Sequence, residues 1–86
     1  MELKQKASMQ ILQHIHEAGV VRGYELIGRI RKTNYSDEDV VEAVQELKEH
    51  GLIENEGGIY SPGDLIEAVI SIHPRAYKIV GEELTR

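Results

Sequence analysis

The sequence contains no cysteine, no tryptophan and no phenylalanine, and each absence removes a class of protein. Without cysteine there is no disulfide framework, no thiolate zinc site and no cysteine nucleophile, so the chain suits a reducing compartment and a cytoplasmic location is expected. With tyrosine as its only aromatic residue, the core has to be built from Ile, Leu, Val and Ala, which pack helix against helix. No stretch approaches the roughly 18 to 20 apolar residues that span a bilayer. Met1-Glu2-Leu3-Lys4-Gln5-Lys6 is not followed by the uninterrupted apolar run of a secretory signal. Neither export nor a membrane role is expected. No internal repeat, low-complexity tract or linker interrupts the chain.

What is present is the balance of a folded domain. Of 86 residues, 41% are apolar and 29% charged, which separates the chain from disordered tails and membrane segments. This length supports a single hydrophobic core, so residues 1–86 are read as one domain. The net charge of −5 is unevenly spread. Residues 19–34 carry Arg22, Arg29, Arg31 and Lys32 against Glu25 alone. Residues 35–57 carry Asp37, Glu38, Asp39, Glu42, Glu46, Glu49, Glu54 and Glu56 against Lys48 alone. A basic group and an acidic group therefore adjoin in sequence.

The apolar period predicts mainly helical structure with a small β-hairpin. Leu3, Ala7, Ile11, Ile15 and Ala18 recur at helical steps and Leu12 widens the stripe, giving a first helix over 3–18 that stops at Gly19. Val20-Val21-Arg22-Gly23 reads as a short extended connection. Tyr24 to Ile30 reads as a short second helix burying Leu26, Ile27 and Ile30, and Gly28 within it suggests close packing, because glycine there costs up to about 1 kcal/mol against alanine. Thr33-Asn34-Tyr35 is a turn. Ser36 followed three residues later by Asp39 has the form of a capping box and starts a third helix through Val40, Val41, Ala43, Val44 and Leu47, which ends at Gly51.

Leu52-Ile53 and Ile59-Tyr60 flank a Gly57-Gly58 turn and predict a hairpin, the candidate wing. Beyond it two patterns overlap. Ser61-Pro62-Gly63-Asp64 offers a cap, and Leu65, Ile66, Val69 and Ile70 follow at helical spacing, giving a helix that ends before Pro74. Ile66, Ala68, Ile70 and Ile72 also alternate as a strand would, which lengthens the wing with Arg75 to Val80 as its return. The helical reading is preferred, with both left open. Arg75 to Leu84 reads as a last short element bearing Ala76, Ile79, Val80 and Leu84.

This order of elements resembles a winged helix-turn-helix. Gly23-Tyr24-Glu25-Leu26-Ile27-Gly28-Arg29-Ile30 is similar to the second helix of PadR-like regulators. Leu47-Lys48-Glu49-His50-Gly51-Leu52-Ile53-Glu54 is similar to the end of the third helix and the start of the wing in PadR-like and MarR-like regulators. The resemblance covers about 8–60, leaving 61–86 as a candidate self-association segment. It implies a winged-helix domain, with DNA binding, transcription regulation and homodimerisation as the family's habits.

The third helix departs from that pattern. In the DNA-binding families its exposed face meets the major groove, yet here Asp37, Glu38, Asp39, Glu42, Gln45, Glu46 and Glu49 are read as outward with Lys48 the only cation. Duplex DNA carries one negative charge per about 1.7 Å, and neutralising it provides much of the affinity. Acids in the first turn are explained by the helix dipole. Glu42, Glu46 and Glu49, spaced three or four apart, repel by a few tenths of a kcal/mol and point to a partner. The expectation is therefore a non-catalytic module docking a protein with a basic surface through Glu38, Asp39, Glu42, Glu46 and Glu49. The alternative is a DNA-binding regulator contacting phosphate through Arg22, Arg29, Arg31 and Lys32, although the same four residues are also read as pairing with the acids of the third helix.

His14 and His16 lie two apart and face different sides of a helix, and neither they nor His50 and His73 have ligand-spaced partners, so no metal site is expected. No phosphate loop or nucleophile motif is present, and no enzyme activity or cofactor is expected.

Overall fold

Ile11, Leu12 and Ile15 line one side of the first helix, and Val40, Val44 and Leu47 one side of the third; all six are fully or nearly fully buried. The structure is a computed structural model describing residues 3, 5, 7–30 and 35–78. Its elements run α1 (Ser8–Ala18), β1 (Val20–Arg22), α2 (Gly23–Ile30), α3 (Asp37–Glu49), β2 (Ile53–Glu54), α4 (Pro62–Glu67) and β3 (Val69–Ile72). The protein is thus mainly helical with a three-stranded antiparallel sheet of order β1-β3-β2.

Two differences from the expected helices have local causes. The first helix begins at Ser8 instead of Leu3, and its N-cap is Ala7, which offers no side-chain acceptor. Gly28 is exposed, with open space where a Cβ would stand. The close approach falls at Gly23, where a Cβ would strike the Leu65 carbonyl and where the backbone N–H donates to the Ala68 carbonyl at 2.9 Å. Glycine at 23 is what lets the start of α2 rest against the end of α4.

α3 is delimited at both ends by its own sequence. The Ser36 hydroxyl accepts from the Asp39 N–H at 3.1 Å while the Asp39 carboxylate accepts from the Ser36 N–H at 3.1 Å, the reciprocal bonds of a capping box. At the other end Leu52 N–H reaches the Leu47 carbonyl and Gly51 N–H the Lys48 carbonyl, both at 3.0 Å. Gly51 sits at φ +70; this is the Schellman arrangement, which favours a residue without Cβ.

The expected hairpin around Gly57-Gly58 does not form; β2 pairs instead with a strand that follows α4. β2 pairs with β3, Ile53 opposite Ile72 and Glu54 opposite Ser71, so Ile59-Tyr60 does not close it. Ile59 is buried in the core while Tyr60 projects outward. β3 is held from its other side by β1, with Val21 opposite Ile70, and both of these side chains enter the core. The overlapping patterns in 61–73 prove to lie in series. A Ser61-capped helix ends at Glu67, Ala68 turns extended at ψ 145, and the alternation of Ile70 and Ile72 then carries β3.

One apolar cluster joins residues from Ala7 to Ala76, including Leu65, Ile70 and Ile72, so the core extends past residue 60. Residues 75–78 form a helical turn and so are not the return strand of a lengthened wing; Ile79, Val80 and Leu84 lie outside the described residues. Among the described residues no helix is long and apolar enough to cross a membrane.

Candidate interaction surface on the third helix

α3 buries Val40, Val41, Ala43, Val44 and Leu47 and turns its remaining side to solvent. Glu38, Asp39, Glu42 and Glu49 are exposed as read from sequence. Glu46 is not. It is 9% exposed, and its carboxylate accepts from the Ser8 hydroxyl at 2.7 Å and from the Gln5 N–H at 3.0 Å. The carboxylate lies near the start of α1, where negative charge is favoured by the helix dipole, and it gives the buried Ser8 hydroxyl its acceptor. Glu46 is therefore a structural link between α1 and α3, and the crowding of Glu42, Glu46 and Glu49 loses its middle member.

Among the remaining acids, Asp39 is engaged in the capping box. Glu38, Glu42 and Glu49 take part in no hydrogen bond or ion pair among the described residues. Glu38 and Glu42 are one helical turn apart, a like-charge spacing that costs a few tenths of a kcal/mol. The helix's one cation, Lys48, donates from its ammonium to the Gly57 carbonyl at 2.7 Å. Gln45 donates to the Ile59 carbonyl at 2.6 Å. These two bonds fasten segment 57–59 along α3.

That fastening positions Tyr60, 82% exposed, which sequence reasoning did not single out. Its own N–H donates to the Asp64 carboxylate at 3.1 Å. The ring separates two hollows. One, of about 200 Å3, is lined by Glu38, Val41, Glu42, Gln45 and Pro62 as well as Tyr60. The other, of about 430 Å3, is bounded by Gln45, Lys48, Glu49, Gly58 and Tyr60. An aromatic face among unpaired carboxylates attracts cations twice over, through the ring quadrupole and through charge.

The basic group is described only in part. Arg22 is exposed on β1 and Arg29 is exposed in the last turn of α2; Arg31 and Lys32 lie outside the described residues. Among the histidines, His16 meets Tyr77 edge to face with ring centres 5.3 Å apart. His73 lies 3.8 Å from Glu54 and accepts from the Arg75 N–H. Among the described residues no group of three His, Asp or Glu side chains could hold a metal ion. Compared with known proteins, the chain matches no family model, no curated protein and no solved structure.

Proposed function

We propose that this chain is a non-catalytic, cytoplasmic winged-helix module, regulatory in role, that docks a protein partner with a basic surface through the exposed side of α3 and the adjoining wing. Three features support the winged-helix reading. A short strand lies between the first two helices, a strand pair follows the third helix, and β3 lies between β1 and β2. The docking reading rests on one observation: Glu38 and Glu42 stand unpaired beside the exposed Tyr60 ring, in the hollow that Lys48 does not line. An arginine or lysine side chain of a partner fits this surface, its stem on Val41 and Pro62 and its charge between ring and carboxylates.

The test uses a short fluorescent peptide of arginine, lysine and glycine without carboxylates, titrated against the full chain by anisotropy. Binding is expected to weaken as salt rises and to fall by at least about tenfold in Glu38→Lys/Glu42→Lys, both exposed positions. Affinity unchanged by that double reversal overturns the proposal. Tyr60→Ala weakens binding and Tyr60→Phe retains it, because the quadrupole belongs to the ring and not to the hydroxyl.

The second reading, a DNA-binding regulator, is favoured by the exposure of Arg22 and Arg29. It requires a mobility shift at ~50 mM salt that is lost when Arg22, Arg29, Arg31 and Lys32 are replaced by alanine. The acidic side of α3 opposes that outcome.

A further inference from the structure

The side of the sheet turned away from the core carries opposite charges at its two edges. Because Val21 and Ile70 face inward as an opposed pair, the alternation places Val20 and Arg22 of β1, with Val69 and Ser71 of β3, on the outer face. Glu54, opposite Ser71, extends that face onto β2. The middle is apolar and open: Val20 is 57% and Val69 54% exposed. Arg22 marks the β1 edge and has no ion pair among the described residues. At the β2 edge, Glu54 and Glu56 join Glu67 from the end of α4 around a hollow of about 630 Å3 floored by Ala68 and Val69.

A hollow with an apolar floor and three carboxylates suits a guanidinium, which is flat, weakly hydrated and able to share its donors between acids. The matching guanidinium is on the same face of the same chain. We infer that a second copy of this chain docks here, sheet face to sheet face. A twofold axis running along β3 lays the β1 edge of each copy over the β2 edge of the other. Arg22 of one copy then enters the Glu54, Glu56 and Glu67 hollow of the second, and Arg22 of the second enters that of the first. Val69 and Ser71 of the two copies meet on the axis. Such an isologous contact needs a surface that is its own complement, and a positive edge, an apolar strip and a negative edge in that order provide one. The contact shares Glu54 and Glu56 of the wing with the proposed partner surface but does not use the side of α3 around Tyr60.

Three short strands cover less than a standard interface, so the dimer is weak, with a dissociation constant of roughly 10–100 μM, and sensitive to salt. Sedimentation equilibrium on the full chain from ~5 to ~500 μM at low salt reads it directly. The wild type is expected to pass from monomer to dimer across that range. Arg22→Glu raises the dissociation constant at least about tenfold, and the triple variant Arg22→Glu/Glu54→Arg/Glu56→Arg restores it, since the swap preserves the complementarity. All exchanged residues are exposed, so folding is retained. A wild type that stays monomeric overturns the inference, as does a dimer indifferent to Arg22→Glu, which would place the contact on another surface.

Discussion

Glu46 shows how a residue's chemistry can be set by a contact far away in sequence. Its spacing from Glu42 and Glu49 reads as one more outward acid, and nothing nearby announces that α1 will bring Ser8 and the Gln5 N–H to it. The contact spans 38 positions in the case of Ser8, and residue type alone argues for exposure because glutamate is seldom buried unless paired. Replacing it with alanine leaves the Ser8 hydroxyl buried without its acceptor. Urea unfolding is expected to show a loss of about 2 kcal/mol for Glu46→Ala, with Glu46→Gln recovering part of it by keeping the carbonyl acceptor. Equal stability of Glu46→Ala and wild type would show that the carboxylate links nothing. Gly23 is a second such position. A methyl group there collides with the Leu65 carbonyl, and Gly23→Ala is expected to cost at least about 3 kcal/mol by thermal or urea denaturation. Gly28→Ala, with open space around it, should stabilise by up to about 1 kcal/mol.

At the level of elements, what sequence showed well was local chemistry. The Ser36 to Asp39 box and the Gly51 stop are written in residues that contact one another within a few positions, and both form. Ser36→Ala should lower stability by about 1 kcal/mol, read from the urea midpoint, because the Asp39 N–H loses its acceptor. Pairing partners were less legible. Gly57-Gly58 between apolar dipeptides looks like a hairpin turn, yet the return strand is Val69–Ile72, selected by β1 on its far side and by the helix that intervenes. The helical and alternating patterns of 61–73 were both visible and both correct for part of the segment; Ala68, where one gives way to the other, carries no Gly or Pro to mark the boundary. The candidate surface was legible in its acids Glu38, Asp39, Glu42 and Glu49. It was not legible in Tyr60, whose placement depends on Lys48 and Gln45 binding the carbonyls of Gly57 and Ile59.

Across the whole molecule, the charge segregation seen along the chain persists in space for the residues described. Carboxylates line the outer side of α3 and the β2 edge of the sheet, while Arg22 and Arg29 sit on β1 and α2. A DNA-reading third helix is the arrangement this distribution disfavours most, because its exposed side would bring carboxylates against phosphates. Amide chemical-shift mapping of the labelled full chain separates the two readings in one experiment, with the carboxylate-free basic peptide and a short DNA duplex titrated in turn at ~50 mM salt. A basic-partner site on α3 requires the peptide to move the amides of Glu38, Glu42, Glu49 and Tyr60 while the duplex leaves them in place. Shifts caused by the duplex at Arg22 and Arg29, with α3 silent toward the peptide, would contradict it.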